Sequence, residues 1–245
     1  MVLQAEEYFK NQYGKQHGTP KHIRFVIYDD KMWRLCLKHI KASNWVADYG
    51  SGGGTLLYNV AQFSNARLLG VERVALPAIR SKALIPKLNV VRGNIMETPL
   101  KNECIDFAFS TMVIEHVDDK NFTEEVYRTL KPGGYFFVTS VIKAKNAWYF
   151  YKNTAGETVL DPSHLKEYKS IQEFEKVFDS IGFTIIESSA SRIRYPVLDP
   201  LLKWLVKLTG MQNLLEWKVV EFLRLLTQIP IPGYFAGEVL AKKIE

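Results

Sequence analysis

The feature that most constrains the fold of this 245-residue chain is a group of glycines behind a short apolar run, in the sequence WVADYGSGGGTLL. The run 45–49 has the composition of a buried strand, four of the next five residues are glycines, and a helical pattern begins near Thr55. Glycines at a strand-to-helix turn let the backbone approach a ligand closely, and the first N–H groups of the helix lack intrahelical partners. The sequence therefore predicts a ligand site at this turn.

The spacing of these glycines excludes two common nucleotide-binding motifs. A dinucleotide fingerprint, G-x-G-x-x-G counted from Gly50, would need a glycine at Thr55, and a P-loop would need Gly-Lys-Ser/Thr after the turn. The pattern that fits is an acidic residue followed by alternating glycines, at Asp48, Gly50, Gly52 and Gly54. Asp48 is expected to contact the ligand, to brace the turn, or to do both.

The fold class follows from the alternation of strand-like and helix-like segments after residue 45. Such alternation indicates βαβ units, and therefore an α/β fold with a doubly wound, mostly parallel, Rossmann-like sheet of seven strands. Strands are predicted at 45–49, 67–71, 89–92, 105–110, 135–142, 183–189 and 235–242, and helices at 55–63, 76–84, 121–130 and 171–181.

The chain contains no linker or repeat that would divide it, so we predict a single domain over 1–245. Segment 1–44 is expected to form a helical cap. Segment 192–232 separates the last two predicted strands and contains two apolar helical patterns, broken near Gly210. Because this connection is much longer than an ordinary strand-to-strand loop, we predict that it forms a helical lid over the active site.

The basic residues are distributed unevenly. The formal net charge is +6, but the surplus lies in segments 1–45, 143–169 and 192–228, and the rest of the chain is net acidic. The last two segments follow strands whose carboxyl ends lie at the ligand-binding edge of such a sheet. Because these segments are also rich in aromatic residues, they favour a hydrophobic or anionic small molecule, or contact with an anionic membrane surface.

Cysteine content and hydropathy suggest where the protein works. Cys36 and Cys104 form no CxxC pair, which argues against a disulfide framework and a thiolate zinc site. The N-terminus lacks the apolar core of a signal peptide, and no run of about 18 apolar residues could span a bilayer. We therefore expect a cytoplasmic protein, with peripheral membrane contact as an option, and no metal ion.

The pattern at Asp48 resembles motif I of the class I S-adenosylmethionine-dependent methyltransferases. The resemblance covers roughly residues 45–190 and the last strand, and it is nearest to the small-molecule type (methyltransferase-11-like), including the methyltransferases of ubiquinone and menaquinone synthesis. The further segments that carry it are LLGVER, VVRGNIMETPL, CIDFAFSTMVIEHVDD, EEVYRTLKPGGYFFVTS and SHLKEYKSIQEFEKVFDSIGF.

The resemblance implies S-adenosylmethionine as the cofactor. Glu72 stands where the family has an acidic residue for the ribose hydroxyls, and its position past the second strand also suits a vicinal diol on physical grounds. Asn94 replaces the usual Asp at the adenine amino group, and Arg73, which can equally face water, replaces a common apolar residue. The cofactor-binding residues implied are Asp48, Tyr49, Gly50, Ser51, Gly52, Gly54, Glu72, Arg73, Asn94, Ile95 and Ser110.

Methyl transfer from a sulfonium needs alignment and a dry site more than acid–base help. If a general base exists, His116 and His164 are the candidates, with Tyr168 as a positioning hydroxyl. The alternative is that these side chains only pack or brace loops.

The absence of certain motifs favours a small-molecule acceptor, with a lipid-like molecule as an option. The fourth strand is followed by Ser-Thr-Met-Val rather than by an Asn/Asp-Pro-Pro-aromatic motif, and no Pro-Cys nucleophile is present. Nucleic acid is therefore not the expected partner. Two alternatives stay open: a nucleic-acid or protein methyltransferase that uses the basic segments, and a cofactor-binding protein without turnover. The chain is expected to be a monomer or a homodimer.

Overall fold

The computed structural model describes residues 30–147, 151–210 and 218–244. The strands are β1 (Trp45–Tyr49), β2 (Arg67–Glu72), β3 (Asn89–Arg92), β4 (Ile105–Thr111), β5 (Leu130–Lys143), β6 (Tyr151–Lys152), β7 (Thr158–Val159), β8 (Phe183–Pro196) and β9 (Gln228–Lys243). The helices are α1 (Asp30–Lys41), α2 (Thr55–Ala61), α3 (Ala75–Leu84), α4 (Asp119–Thr129), α5 (Ile171–Asp179), α6 (Asp199–Thr209) and α7 (Lys218–Leu226), with a 3-10 turn at Ile114–His116.

Within this part of the chain, seven strands form one sheet in the order β3-β2-β1-β4-β5-β9-β8. The pairs among β1 to β5 are parallel, whereas β9 runs antiparallel to both β5 and β8. The predicted α/β fold with a mostly parallel, doubly wound, seven-stranded sheet is confirmed. The carboxyl ends of β1, β2, β4 and β5 meet at one edge, which carries the candidate site.

Each face of the sheet has its own hydrophobic core, because successive side chains of a strand point to opposite faces. Phe136 faces the layer that contains α4 and α5, where it lies among buried aromatic side chains such as Phe122 and Phe178. Its neighbour Phe137 faces the opposite layer with Phe107. This sandwich of helix, sheet and helix holds the carboxyl edge of the strands rigidly.

The described part of the predicted N-terminal cap contains helix α1. The α1 residues Met32, Cys36 and Ile40 recur every four positions, are fully buried, and pack in the core that contains Phe107. Helix α1 is therefore part of one helical layer on the sheet, and the cap over 1–44 stays a prediction. Residues 1–29 of that prediction lie outside the described range.

The strands on either side of the predicted insertion 192–232 are longer than the sequence suggests. Strand β8 continues to Pro196 and β9 already begins at Gln228, so α6 and α7 occupy the shorter interval 197–227, of which 211–217 lies outside the described residues. The extra strand residues include Pro230 and Pro232. Strand β9 pairs with β5 only from Tyr234 onward, so both prolines precede that pairing and lie where this edge of β9 needs no N–H donor.

Helices α6 and α7 expose much apolar surface. No helix in the described ranges is long and apolar enough to cross a membrane. Large apolar side chains are nevertheless left more than two-fifths exposed on this segment: Leu201, Trp204, Leu208, Val219, Phe222, Leu223 and Leu226. The segment therefore contributes little to the core of the sheet.

Candidate functional site

The glycine turn between β1 and α2 has a backbone that only glycine adopts easily. Gly50 and Gly54 have φ angles of 82° and 80°. A Cβ atom at Gly50 would lie 2.6 Å from a methyl group of Val113, and one at Gly54 would lie 2.7 Å from Cβ of Ser81. Gly50 and Gly54 are therefore required both by the backbone conformation and by the neighbouring residues, whereas a Cβ at Gly52 would meet no atom within 4 Å.

Glu72, at the end of β2, fastens this turn to the sheet. One carboxylate oxygen accepts a hydrogen bond from the N–H of Gly52 and the other from the N–H of Val74, each at 2.8 Å. The side chain is largely buried. A carboxylate has about four acceptor positions, so these two bonds leave capacity for the hydroxyls of a diol. The sequence predicted the ligand contact of Glu72 but not this bracing role.

Asp48 is a buried acid with an unsatisfied oxygen. It is 3% exposed, and its Oδ1 has no hydrogen-bond partner among the described residues. Burial, and to a lesser extent the nearby charge of Glu72, raise the pKa of Asp48 to about 8. The Oγ atom of Ser51 is also buried without a partner in this part of the structure. Unpaired buried polar atoms on a turn of this kind indicate that a ligand supplies the missing partners.

The side chains of Tyr49 and Ser110, two of the predicted cofactor-binding residues, make structural contacts beneath the turn. The hydroxyl of Tyr49 lies 2.6 Å from Oγ1 of Thr129, and its ring is fully buried in the core against α4. Ser110 on β4 is also fully buried, and its hydroxyl donates to the backbone oxygen of Tyr49 at 3.0 Å. These side chains are engaged in structural contacts, so a direct ligand contact of Tyr49 would have to come from its backbone.

The predicted adenine-binding residues lie near the ends of β2 and β3. Arg73 is exposed, which matches the alternative that it faces water. Asn94 is exposed as well, and its side-chain oxygen accepts from the N–H of Met96 at 3.1 Å. Ile95 is buried in the core. The amide of Asn94 therefore shapes its own loop and keeps one acceptor position for a ligand.

A second group of polar side chains lies at the carboxyl ends of β4 and β5. The 3-10 turn after β4 carries Glu115, which is 1% exposed and accepts from the hydroxyl of Ser140 on β5 at 3.1 Å. The backbone oxygen of Glu115 accepts from the N–H of Leu165, which ties the loop before α5 to this turn. That loop brings His164 next to His116, with ring centroids 4.8 Å apart.

The two histidines have defined partners. Nδ1 of His164 lies 2.6 Å from Oε1 of Glu167, and Nδ1 of His116 lies 3.0 Å from Oγ of Ser163. Burial lowers the pKa of His116 to about 4, with the charge of His164 acting in the same direction, so His116 is neutral near pH 7. The structure therefore brings the two predicted histidines together.

Tyr168 does not offer a free hydroxyl. Its O–H donates to Oδ2 of Asp119 at 2.9 Å, and its fully buried ring packs against Phe174. Burial and the negative charge of Asp119 raise the pKa of Tyr168, so the hydroxyl stays protonated. Its backbone also pairs with Ile142 of β5. These contacts favour a structural role over the predicted positioning role.

Sequence reasoning missed three polar residues of this region. Glu167 bonds to His164, Glu115 lies beside both histidines, and Oε2 of Glu167 and the hydroxyl of Tyr234 are buried without partners among the described residues. The available signal was local: Glu115 adjoins His116, and Glu167 follows His164 at a spacing of three.

A parallel sheet with one antiparallel strand, a glycine turn after β1 and an acidic residue at the end of β2 define the class I methyltransferase architecture. Residues 47–138 match the model of a methyltransferase domain family. Over this domain the chain is similar to the S-adenosylmethionine-dependent methyltransferases of this class.

Individual relatives support this assignment. The chain is 26% identical over 214 residues to sterol methyltransferase-like 3 of Botryococcus braunii, a match that covers 80% of the chain and 52% of that protein. It is 26% identical over 188 residues to the demethylmenaquinone methyltransferase of Oceanobacillus iheyensis, covering 69% and 78%. The chain spans about half the length of several curated relatives that it matches.

Solved structures share the fold. A geranyl diphosphate C-methyltransferase from Streptomyces coelicolor A3(2), in complex with Mg²⁺, geranyl diphosphate and S-adenosyl-L-homocysteine, superposes with a TM-score of 0.61. The superposition covers 98% of both chains at 12% sequence identity. At that identity the likeness concerns the fold.

Proposed function

We propose that the protein binds S-adenosylmethionine at the glycine turn and transfers its methyl group to a small hydrophobic or anionic acceptor. The observation that carries the first half is the buried turn itself, where Asp48 and Ser51 have unsatisfied polar atoms. When bound, the cofactor supplies a methyl group on a positively charged sulfur. The chain then has to hold the two reactants in line and exclude water.

The turn offers groups that suit the parts of this cofactor. Glu72 has acceptor capacity for the ribose hydroxyls, and its carboxylate is already held in place by two backbone N–H groups. The unpaired oxygen of Asp48 suits a donor group such as an ammonium. The assignment of Arg73, Asn94 and Ile95 to the adenine stays a prediction. Tyr49 and Ser110 support the turn through the hydrogen bond from the Ser110 hydroxyl to the backbone oxygen of Tyr49.

The acceptor is proposed to enter beside β4 and β5. Val113, on the loop after β4, lies against Gly50, and the next residues of the same loop include Glu115 and His116. A polar, buried group beside the cofactor turn could act on an acceptor hydroxyl or bind an acceptor anion. The histidines stay candidates for a general base.

A hydrophobic acceptor is supported by two further observations. Helices α6 and α7 present an exposed apolar surface, to which Trp204 and Phe222 contribute. The names of the relatives include sterol, menaquinone-precursor and isoprenoid diphosphate substrates. We therefore propose a lipid-like acceptor, with α6 and α7 as a lid or a peripheral membrane contact in a cytoplasmic protein.

Calorimetric titration with S-adenosylmethionine, with NAD⁺ as the control ligand, tests the cofactor. We expect one equivalent of S-adenosylmethionine to bind and NAD⁺ to give no heat. Absence of the first signal, or a preference for NAD⁺, would contradict the proposal.

Formation of S-adenosylhomocysteine with a quinol, a sterol and an isoprenyl diphosphate tests the acceptor. Turnover with at least one of them, insensitive to salt, supports a buried small molecule. Turnover only with RNA or protein, weakened steeply by salt, would favour the alternative acceptors. Cofactor binding without turnover on any acceptor would favour a non-catalytic protein.

A further inference from the structure

Three potential metal ligands converge outside the glycine turn. One ligand atom each from Glu115, His116 and His164 lie within 4.8 Å of one another. Glu115 and His116 come from the turn after β4, and His164 comes from the loop before α5. The side chains of Glu115 and His164 are almost fully buried. A hydrogen bond from the N–H of Leu165 to the backbone oxygen of Glu115 connects the two loops that carry the three residues.

The hydrogen bonds of His164 determine which of its nitrogens carries the proton. Its Nδ1 lies 2.6 Å from the carboxylate of Glu167, which can only accept while it is ionised. The proton of a neutral His164 is therefore on Nδ1, and the lone pair is on Nε2. A carboxylate on the far nitrogen is the arrangement that orients metal-binding histidines and raises their basicity.

The same reasoning applies to His116 through a different partner. The hydroxyl of Ser163 donates to Oδ1 of Asp161 at 2.5 Å, so its oxygen is an acceptor for Nδ1 of His116 at 3.0 Å. The backbone oxygen of Ser163 is a second acceptor for this nitrogen at 3.3 Å. A neutral His116 therefore carries its proton on Nδ1 as well, with the lone pair on Nε2.

The charge balance of this group favours a cation. Glu115 and Glu167 place two carboxyl groups in a nearly dry region, and Oε2 of Glu167 has no hydrogen-bond partner among the described residues. A bound cation would stabilise the ionised carboxylates.

We propose that Glu115, His116 and His164 bind a divalent transition-metal ion, with Glu167 and Ser163 orienting the two imidazole rings. Two nitrogen ligands and one carboxylate suit Zn²⁺, Fe²⁺ or Mn²⁺ better than Mg²⁺ or Ca²⁺, which prefer oxygen ligands. Atoms bound at about 2.1 Å from one ion are at most about 4.2 Å apart, so the group must contract by roughly 0.6 Å on binding.

Three protein ligands leave coordination positions open. These positions would be available to an oxygen of the acceptor, and this consequence rests on the proposed function. The binding of the metal itself does not, since it can be measured without cofactor or turnover. In the metal-bound protein the two Nε2 atoms act as ligands and not as general bases.

The test is metal binding by the full chain after dialysis against a chelator. We expect one equivalent of Zn²⁺, measured by competition with a chromophoric chelator, and Co²⁺ substitution should give visible absorption bands of nitrogen and oxygen coordination. H164Q and E115Q should weaken Zn²⁺ binding more than 100-fold, and E167Q should weaken it by about 10–100-fold.

Matched histidine variants exclude other sites. H39Q removes a histidine of α1 that stacks on Tyr135, and the double variant H17Q/H22Q removes the two that precede α1. Both should bind Zn²⁺ like the wild type. Loss of binding in either, unchanged binding in H164Q, or binding of Mg²⁺ alone would overturn the proposal. Circular dichroism and S-adenosylmethionine titration show whether each variant is folded. If H164Q or E115Q does not fold, a wild-type Co²⁺ spectrum without such bands overturns the proposal, and one with them supports it.

Discussion

The glycine turn and the group formed by Glu115, His116 and His164 lie along the same edge of the sheet, but they are built differently. The turn presents backbone N–H groups, requires glycine at positions 50 and 54, and is held by one acid, Glu72. The histidine group consists of buried or half-buried titratable side chains from two loops. The glycine turn depends on backbone conformation, whereas the histidine group depends on the charges of its side chains. Changes in size should therefore damage the turn, and changes in charge should alter the histidine group.

The largest effect is expected from G50A. The added Cβ would meet Val113 at 2.6 Å, and φ of 82° is strained for alanine. We expect a loss of about 2–4 kcal/mol in the free energy of unfolding and little remaining cofactor binding. Chemical denaturation and calorimetry measure both. The matched control is G53A, because a Cβ at Gly53 would meet no atom within 4 Å. Equal damage in both variants would contradict the role assigned to Gly50.

The next effect concerns the pH dependence of stability in the metal-free protein. The pKa of Glu115 is raised from 4.5 to about 7, so its contribution is present at low pH and is lost as the pH rises toward 7. The pKa of His116 is lowered from 6.5 to about 4, so its contribution is present above pH 6.5 and is lost as the pH falls toward 4. Each amounts to at most about 3 kcal/mol, and the two oppose each other.

Single variants should separate these two contributions to the pH dependence of the free energy of unfolding. In E115Q the free energy of unfolding should rise between pH 4 and 6.5, whereas in H116Q it should fall between pH 4.5 and 7. Urea denaturation across this range, with chelator present, measures both. Parallel profiles for the two variants would mean that these groups titrate as they do in the unfolded chain.

E72Q should weaken the cofactor more than the fold. Glutamine keeps one acceptor oxygen for the N–H of Gly52 but loses the charge and the second oxygen. We expect S-adenosylmethionine affinity to fall by about 1.5–3 kcal/mol, roughly 10–150-fold. Calorimetry measures this change, with E124Q on the exposed side of α4 as the control. Unchanged affinity would mean that the ribose is held elsewhere.

The smallest effect on stability is expected on α6 and α7. Leu208 and Leu226 are 63% and 67% exposed. L208E and L226E should change the free energy of unfolding by less than about 0.5 kcal/mol and leave cofactor affinity unchanged. Acceptor turnover, or sedimentation with anionic lipid vesicles, should decrease. Unfolding of either variant would show that these helices are part of the core.

Much of the sheet was predictable because its signal is local. The bounds 45–49 and 89–92 agree with β1 and β3, since apolar runs beside glycine and polar turns define such strands without reference to partners. The ends of β8 and β9 were not predictable. Arg194 and Pro230 become strand residues only because the two segments pair with each other beyond the end of β5.

The residues of the site also differ in whether the sequence could predict them. The glycines follow β1 directly and Glu72 is the last residue of the neighbouring strand β2, so the topology alone places them side by side. Glu115 and Glu167 were not identified because each is an ordinary acid in the sequence. Their importance arises from burial next to His116 and His164, and burial depends on how the loop before α5 packs on β4 and β5.

The sequence by itself determined the order of strands and helices, the conformation of the glycine turn and the resemblance to the methyltransferases, because these depend on residues close together in the chain. Only the tertiary structure decided that α1 is a layer of the fold, where the paired strands end, and which acids meet the histidines. Those features depend on desolvation and on contacts between distant segments, which act only when the chain is folded.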